Sequence, residues 1–274
     1  MCLIGVFDSG IGGLSVLRHL RQQLPDQSML YLADQAHVPY GPRSLEQVRA
    51  FSEQITRFLL AQGARLIVVA CNTASAAALQ HLRQTFPAIP FVGMEPAVKP
   101  AAEQTRSGVV GVLATPATFQ GALYASVVER FAQGVTLLQS TCPGLVAQIE
   151  AGDLDGPATR RILEEALQPM LARGIDTVVL GCTHYPFVIP LIEQIAGQQV
   201  RVIDPAPAVA RQVARLLDEG GLRRAAGRRP PTLRFVTTGA SAALAEALPH
   251  LLGERAAVEG VCWEGNGLGE CGGD

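Results

Sequence analysis

The strongest constraint on the fold is a local pattern that occurs twice. An apolar run ends in a cysteine flanked by small or polar residues, and a helical stretch follows. It reads VVACNTAS at 68–75 and VVLGCTHYP at 178–186. Short apolar runs alternating with helical stretches are what a parallel, helix-covered sheet requires, because parallel neighbours need a long crossover. The alternation extends along most of the chain. Strands are predicted at Ile4–Phe7, Met29–Leu32, Leu66–Ala70 and Phe91–Gly93, with helices at Leu14–Leu24, Leu45–Gln62 and Cys71–Gln84. The series then restarts. Strands are predicted at Val109–Leu113, Thr136–Leu138, Thr177–Leu180 and Val200–Ile203. Helices are predicted at Thr118–Phe131, Leu145–Ala151, Arg160–Arg173, Phe187–Ile195 and Ala208–Leu217.

The two series align. GVF at 5–7 matches GVL at 111–113, VVACNT at 68–73 matches VLGCTH at 179–184, and EPAV at 95–98 matches PAPAV at 205–209. The similar spacings imply two homologous α/β halves with one cysteine turn each. A late strand at Thr232–Thr237 and a helix at Ala240–Leu252 follow an exposed Gly-, Arg- and Pro-rich loop at Gly220–Pro231. The final GNGLGECGGD is too rich in glycine for an ordered element and is expected to fray.

Composition narrows the functional classes. Apolar residues make up 48% of the 274 and charged residues 17%, enough for a sizeable core and too apolar for disorder. The net charge is −2, so nothing points to a nucleic-acid or membrane-surface partner. No apolar run reaches the roughly 18 residues of a membrane span. The N-terminal MCLIGVFDSG lacks a basic region and a cleavage site, so a cytoplasmic protein with reduced thiols is expected. The cysteines stand at 2, 71, 142, 182, 262 and 271 without a CxxC pair, which gives no support for a zinc ribbon or a thioredoxin-type motif. Lys99 is the single lysine, so a pyridoxal Schiff base has only that residue to use.

Each cysteine turn carries chemistry. Cys71 starts a helix, where free N–H groups and the macrodipole favour a thiolate, and Asn72 and Thr73 add donors for a carboxylate. The bland alternative is a small buried hydrophobe capped by Asn72 and Thr73. At the second turn Gly181 permits a tight bend, Thr183 supplies a hydroxyl, and His184 is close enough to polarise Cys182. Asp8 and Ser9 follow the first strand and are read either as a base and a ligand donor or as helix caps. DSGIGG is not GxGxxG, so a dinucleotide site is poorly supported. Tyr40 and Gly41, between Pro39 and Pro42, form a rigid loop with an exposed aromatic. Glu150 is either a site acid or a surface carboxylate. Two thiols on equivalent turns suit inversion of a carbon stereocentre, which needs a base on one face and an acid on the other.

The segments GVFDSGIGGLSVL, YLADQAHVPYGPRS, VVACNTASAAAL, VGMEPAVKPA, GVLATPAT and LGCTHYPF resemble the aspartate/glutamate racemase superfamily, in its order, from residue 5 to about 210. DSGIGG and PYG, both intact, favour the glutamate racemases within it. The resemblance implies two α/β domains, 1–97 plus 208–274 and 98–207, with the active site in the cleft between them. It implies a reversible conversion of L-glutamate to D-glutamate for peptidoglycan synthesis, with neither pyridoxal phosphate nor metal, in a homodimer. It casts Cys71 and Cys182 as the catalytic thiols, assisted by Asp8 and His184 respectively, with Glu150 as a further acidic site residue. The substrate-binding positions it implies are Asp8, Ser9, Tyr40, Gly41, Asn72, Thr73, Thr183 and His184, with Thr115 and Thr118 as further ligands. Gln148 departs from the apolar residue expected beside Glu150.

Overall fold

The computed structural model describes residues 2–223, 230–265 and 267–270. Strands β1 (Leu3–Asp8), β2 (Ser28–Ala33), β3 (Ala64–Val69) and β4 (Phe91–Gly93) lie in the order β2-β1-β3-β4, all parallel. Strands β5 (Val109–Ala114), β6 (Thr136–Ser140), β7 (Thr177–Gly181) and β8 (Arg201–Ile203) form a second parallel sheet in the order β6-β5-β7-β8. Both halves therefore run second, first, third, fourth, so the sequence repeat is a repeat of topology. Each cysteine turn leaves the third strand of its sheet.

The chain then returns to the first sheet. β9 (Leu233–Thr237) pairs with β2 and β10 (Val258–Glu264) with β9, both parallel. β11 (Gly267–Glu270) closes the edge antiparallel to β10. The tail expected to fray is thus a strand over 267–270, because backbone pairing across the hairpin supplies the order that glycine side chains cannot. The arginine-rich stretch at 224–229 lies outside the described residues, as do 271–274.

The inner strands are apolar on both faces, as parallel strands covered by helices must be. Ile4 and Val6 pack toward the helix Leu14–Gln23, while Phe7, Ile67 and Val69 face the helices Leu45–Ala61 and Asn72–Thr85. Each such buried side chain contributes roughly 1.5–3 kcal/mol. The helix Ala206–Glu219 carries the chain back from the second half, and its Val209, Val213 and Leu217 share a core with Leu17 and Leu20.

Three expectations are corrected. The helix expected over Thr118–Phe131 is two, Pro116–Gln120 and Ala122–Phe131, separated by an extended Gly121 at φ −69 and ψ 138. A Cβ on Gly121 would stand 2.7 Å from that of Ala76, so the close approach of the two halves requires glycine there. Phe187–Ile195 is a 3-10 turn, Tyr185–Val188, followed by the helix Ile189–Ala196. Cys2, Cys71, Cys142 and Cys182 are free, but Cys262 on β10 is disulfide-bonded. Among the described residues, no helix is long and apolar enough to cross a membrane.

Candidate functional site

The first turn is built around its sulfur. Cys71, extended at φ −139 and ψ 123, is itself the N-cap of the helix Asn72–Thr85, and its Sγ accepts the N–H of Ala74 at 3.4 Å. Asn72 and Thr73 are the first helical residues and not its caps, so neither side chain is taken up by the helix end. Among the described residues, neither polar atom of the buried Asn72 amide has a hydrogen-bond partner. A buried amide left unpaired costs roughly 1–3 kcal/mol, which a bound carboxylate or ammonium would relieve. Thr73 Oγ1 lies 2.9 Å from Thr115 Oγ1, which lies 2.9 Å from Thr118 Oγ1, a hydroxyl chain from one half to the other. Burial and the Asp8 charge push the Cys71 thiol well above its usual range, against the N–H groups of Ala74 and Ser9.

The second turn carries an ion pair. A Cβ on Gly181 would stand 2.8 Å from that of Ala114, so only glycine lets β7 leave the sheet here. Cys182 Sγ lies 3.8 Å from His184 Nδ1, and His184 Nε2 lies 2.6 Å from Glu150 Oε1. Burial opposes a charge on the imidazole, yet Cys182 and Glu150 outweigh it and hold His184 well above the ordinary histidine range. Burial likewise works against the Glu150 carboxylate, but His184 and the Ile11 N–H hold it below its ordinary value.

The glycine turn of the first half receives this machinery. Ile11 N donates to Glu150 Oε1 at 3.0 Å, and a Cβ on Gly12 would stand 2.5 Å from His184 Nδ1. Ser15 Oγ donates to the Thr183 carbonyl at 2.8 Å, and Thr183 Oγ1 donates to Asp8 Oδ2 at 2.9 Å. Burial raises Asp8 to about 6, although His184, the Gly10 N–H and Thr183 all favour its charge. Neither Asp8 nor Ser9 caps the helix, which starts from Gly13 without a side-chain cap.

Both catalytic-candidate sulfurs line one cavity of about 290 Å³. Ser9, Tyr40, Gly41, Asn72, Thr73, Thr115, Thr183 and His184 line it with them. Asp8 and Glu150 do not; each stands behind the residue it touches, Thr183 and His184. Tyr40 is not the exposed aromatic expected. It is 1% exposed, because its hydroxyl finds a buried acceptor in Asp34 at 2.6 Å and its ring is free to pack inward. Cys142, Pro143, Val146 and Ala147 form an apolar wall that the sequence did not single out. Lys99 is exposed, 3.9 Å from Glu103, and lies outside this cavity. Among the described residues, no group of three His, Cys, Asp or Glu side chains is arranged to hold a metal.

The Asp/Glu/hydantoin racemase family matches this chain over residues 4–213. The chain belongs to that family. It is 55% identical to the glutamate racemase of a Roseiflexus species over 86% of this chain and 87% of the relative. Among solved structures, the glutamate racemase isoform RacE1 of Bacillus anthracis superposes with a TM-score of 0.86 at 33% identity, over 97% of this chain and 98% of its own. Escherichia coli glutamate racemase in complex with L-glutamate and the activator UDP-MurNAc-Ala gives 0.84 at 31% identity, over 96% and 99%. Both glutamate racemase structures thus superpose on nearly the whole of this chain, and the two cysteine turns lie inside residues 4–213.

Proposed function

We propose that this protein interconverts L-glutamate and D-glutamate by a two-thiol transfer of the α-proton. The observation that carries the reading is the pair of free sulfurs, Cys71 and Cys182, lining one cavity from equivalent turns beside an unpaired Asn72 amide. Relatives that share its length are glutamate racemases.

In the direction from D to L, the Cys71 thiolate takes the α-proton and the Cys182 thiol delivers its own to the opposite face. The reverse direction exchanges the roles, as microscopic reversibility requires. Asp8 serves the first thiol, and His184, with Nδ1 3.8 Å from Cys182 Sγ, serves the second. Glu150 holds the His184 ring. Groups from both halves surround the substrate carboxylates: Ser9, the loop at Tyr40 and Gly41, Asn72 and Thr73 from one, Thr115, Thr183 and His184 from the other, with Thr118 behind Thr115. Fixed donors in a cavity with an apolar wall stabilise the carbanion-like transition state more than water does.

The reading extends to domains 1–97 plus 208–274 and 98–207, a homodimer in the cytoplasm, and supply of D-glutamate for peptidoglycan. It needs neither pyridoxal phosphate nor metal. The test is purified protein without added cofactor, given each glutamate enantiomer and L-aspartate, with optical rotation followed to its end point. Glutamate is expected to reach the racemate from either side, and Lys99→Arg is expected to match the wild type. Turnover of aspartate alone, or turnover that depends on added pyridoxal phosphate, would contradict the reading.

A further inference from the structure

Asp34 follows β2 and is fully buried. Its two carboxylate oxygens face different parts of the chain. Oδ2 accepts the Tyr40 hydroxyl at 2.6 Å and lies 2.9 Å from His37 Nδ1, both in the loop that walls the cavity. Oδ1 accepts Thr238 Oγ1 at 2.7 Å and Trp263 Nε1 at 2.8 Å, both in the C-terminal return. The Trp263 ring also meets the His37 ring edge-on at 4.9 Å, and His37 stacks on Phe51 at 3.9 Å. Thr238 Oγ1 accepts the Ala36 N–H at 3.0 Å, a second tie to the same loop.

We propose that Trp263 and Thr238 are positioning residues for racemisation, fixing Tyr40 through the shared carboxylate of Asp34. The proposal rests on the functional reading above. A buried carboxylate with donors on both oxygens is held rigidly, since each charge-assisted bond restricts it further. Tyr40 has no other hydrogen-bond acceptor among the bonds described, so its direction follows that of Asp34. Gly41, the next residue, brings the loop against the second half, where a Cβ would stand 3.3 Å from that of Thr115. The C-terminal return, through Thr238 and Trp263, thereby sets part of the cavity wall.

A merely structural hairpin would close the sheet edge and nothing more. Its loss would lower the thermal midpoint and leave substrate affinity alone. A positioning role shows instead in the split between KM and kcat. Trp263→Phe keeps an aromatic ring and removes one donor; Thr238→Val removes another and leaves the ring untouched, which keeps the test available if the first variant folds poorly. Trp263 is also the single tryptophan of the chain, so its fluorescence reports on this cluster alone.

The experiment measures KM and kcat for both enantiomers in the wild type and the two variants, with thermal midpoints, and titrates wild-type tryptophan fluorescence with D-glutamate. Expected are a KM raised about tenfold in each variant, kcat within about twofold, and a saturable fluorescence change in the wild type. An active wild type whose variants keep its KM overturns the proposal. A wild type without glutamate turnover overturns the functional reading, and this role with it.

Discussion

Glu150 Oε1 lies 2.6 Å from His184 Nε2, closing an ion pair whose other ring nitrogen lies 3.8 Å from Cys182 Sγ. The pair belongs to the second half, but it is seated in the first, where the Ile11 N–H and the bare Gly12 backbone receive it. Contact between the halves therefore sets the charge beside one of the two sulfurs. A carboxylate behind an imidazolium favours its charged form.

Glu150→Gln removes that carboxylate while keeping the shape. Racemisation has an equilibrium constant of one, so kcat/KM is expected to fall equally in both directions, by about tenfold or more. The asymmetry appears in isotope effects. Removal of the proton from L-glutamate by Cys182 becomes slower than the step at Cys71, so the effect of an α-deuterium is expected to grow for L-glutamate and shrink for D-glutamate. Equal isotope effects in the variant would contradict the assignment of His184 to Cys182.

Asp8 is expected to trade stability for activity. Burial raises it from 3.8 to about 6 in the fold, so ionising it opposes folding. The opposition is absent at pH values well below 3.8, grows toward pH 6, and is in full force above it. Asp8→Asn at pH 7 is therefore expected to raise the thermal midpoint by a few degrees, roughly 1–3 kcal/mol, and to abolish most activity. In the wild type, kcat/KM should fall as the pH drops through about 6, where the carboxylate that serves Cys71 becomes protonated. Calorimetry and a pH–rate profile check the two halves of this expectation, and a lower midpoint at pH 7 would refute the first.

Asn72→Ala separates binding from folding. The amide makes no hydrogen bond among the described residues, so its removal leaves none of them unsatisfied and the midpoint is expected to hold within a few degrees. KM for glutamate is expected to rise about tenfold or more. A large loss of stability with an unchanged KM would show that the amide serves the fold.

Much of this was legible in the sequence, for identifiable reasons. The strands show as apolar runs such as Leu66–Ala70, whose two buried faces leave no polar position. The equivalence of Cys71 and Cys182 was read from the turns themselves, because a strand end, a cysteine and a helix start are all local signals. What was missed is non-local. Nothing near Gly121 shows that Ala76 will pack against it. Asp34 sits in a polar loop, and its partners at 37, 40, 238 and 263 meet only through the return of the chain. The hairpin of β10 and β11 was hidden by its glycines, since propensity is weak where neighbouring strands supply the order. Around Tyr40, a turn with two prolines gives no sign of the buried acceptor, Asp34, beneath the ring.

The central claim is that two thiols act on opposite faces of one carbon. It is tested most directly by proton exchange at the α-carbon in D₂O, with each glutamate enantiomer supplied separately to the wild type, Cys71→Ala and Cys182→Ala. In the wild type, solvent deuterium is expected in the product enantiomer from the first turnovers, while unreacted substrate keeps its proton. Each alanine variant is expected to lose racemisation. Transfer of the substrate's own proton to the product, or racemisation that survives in either variant, would contradict a two-thiol mechanism.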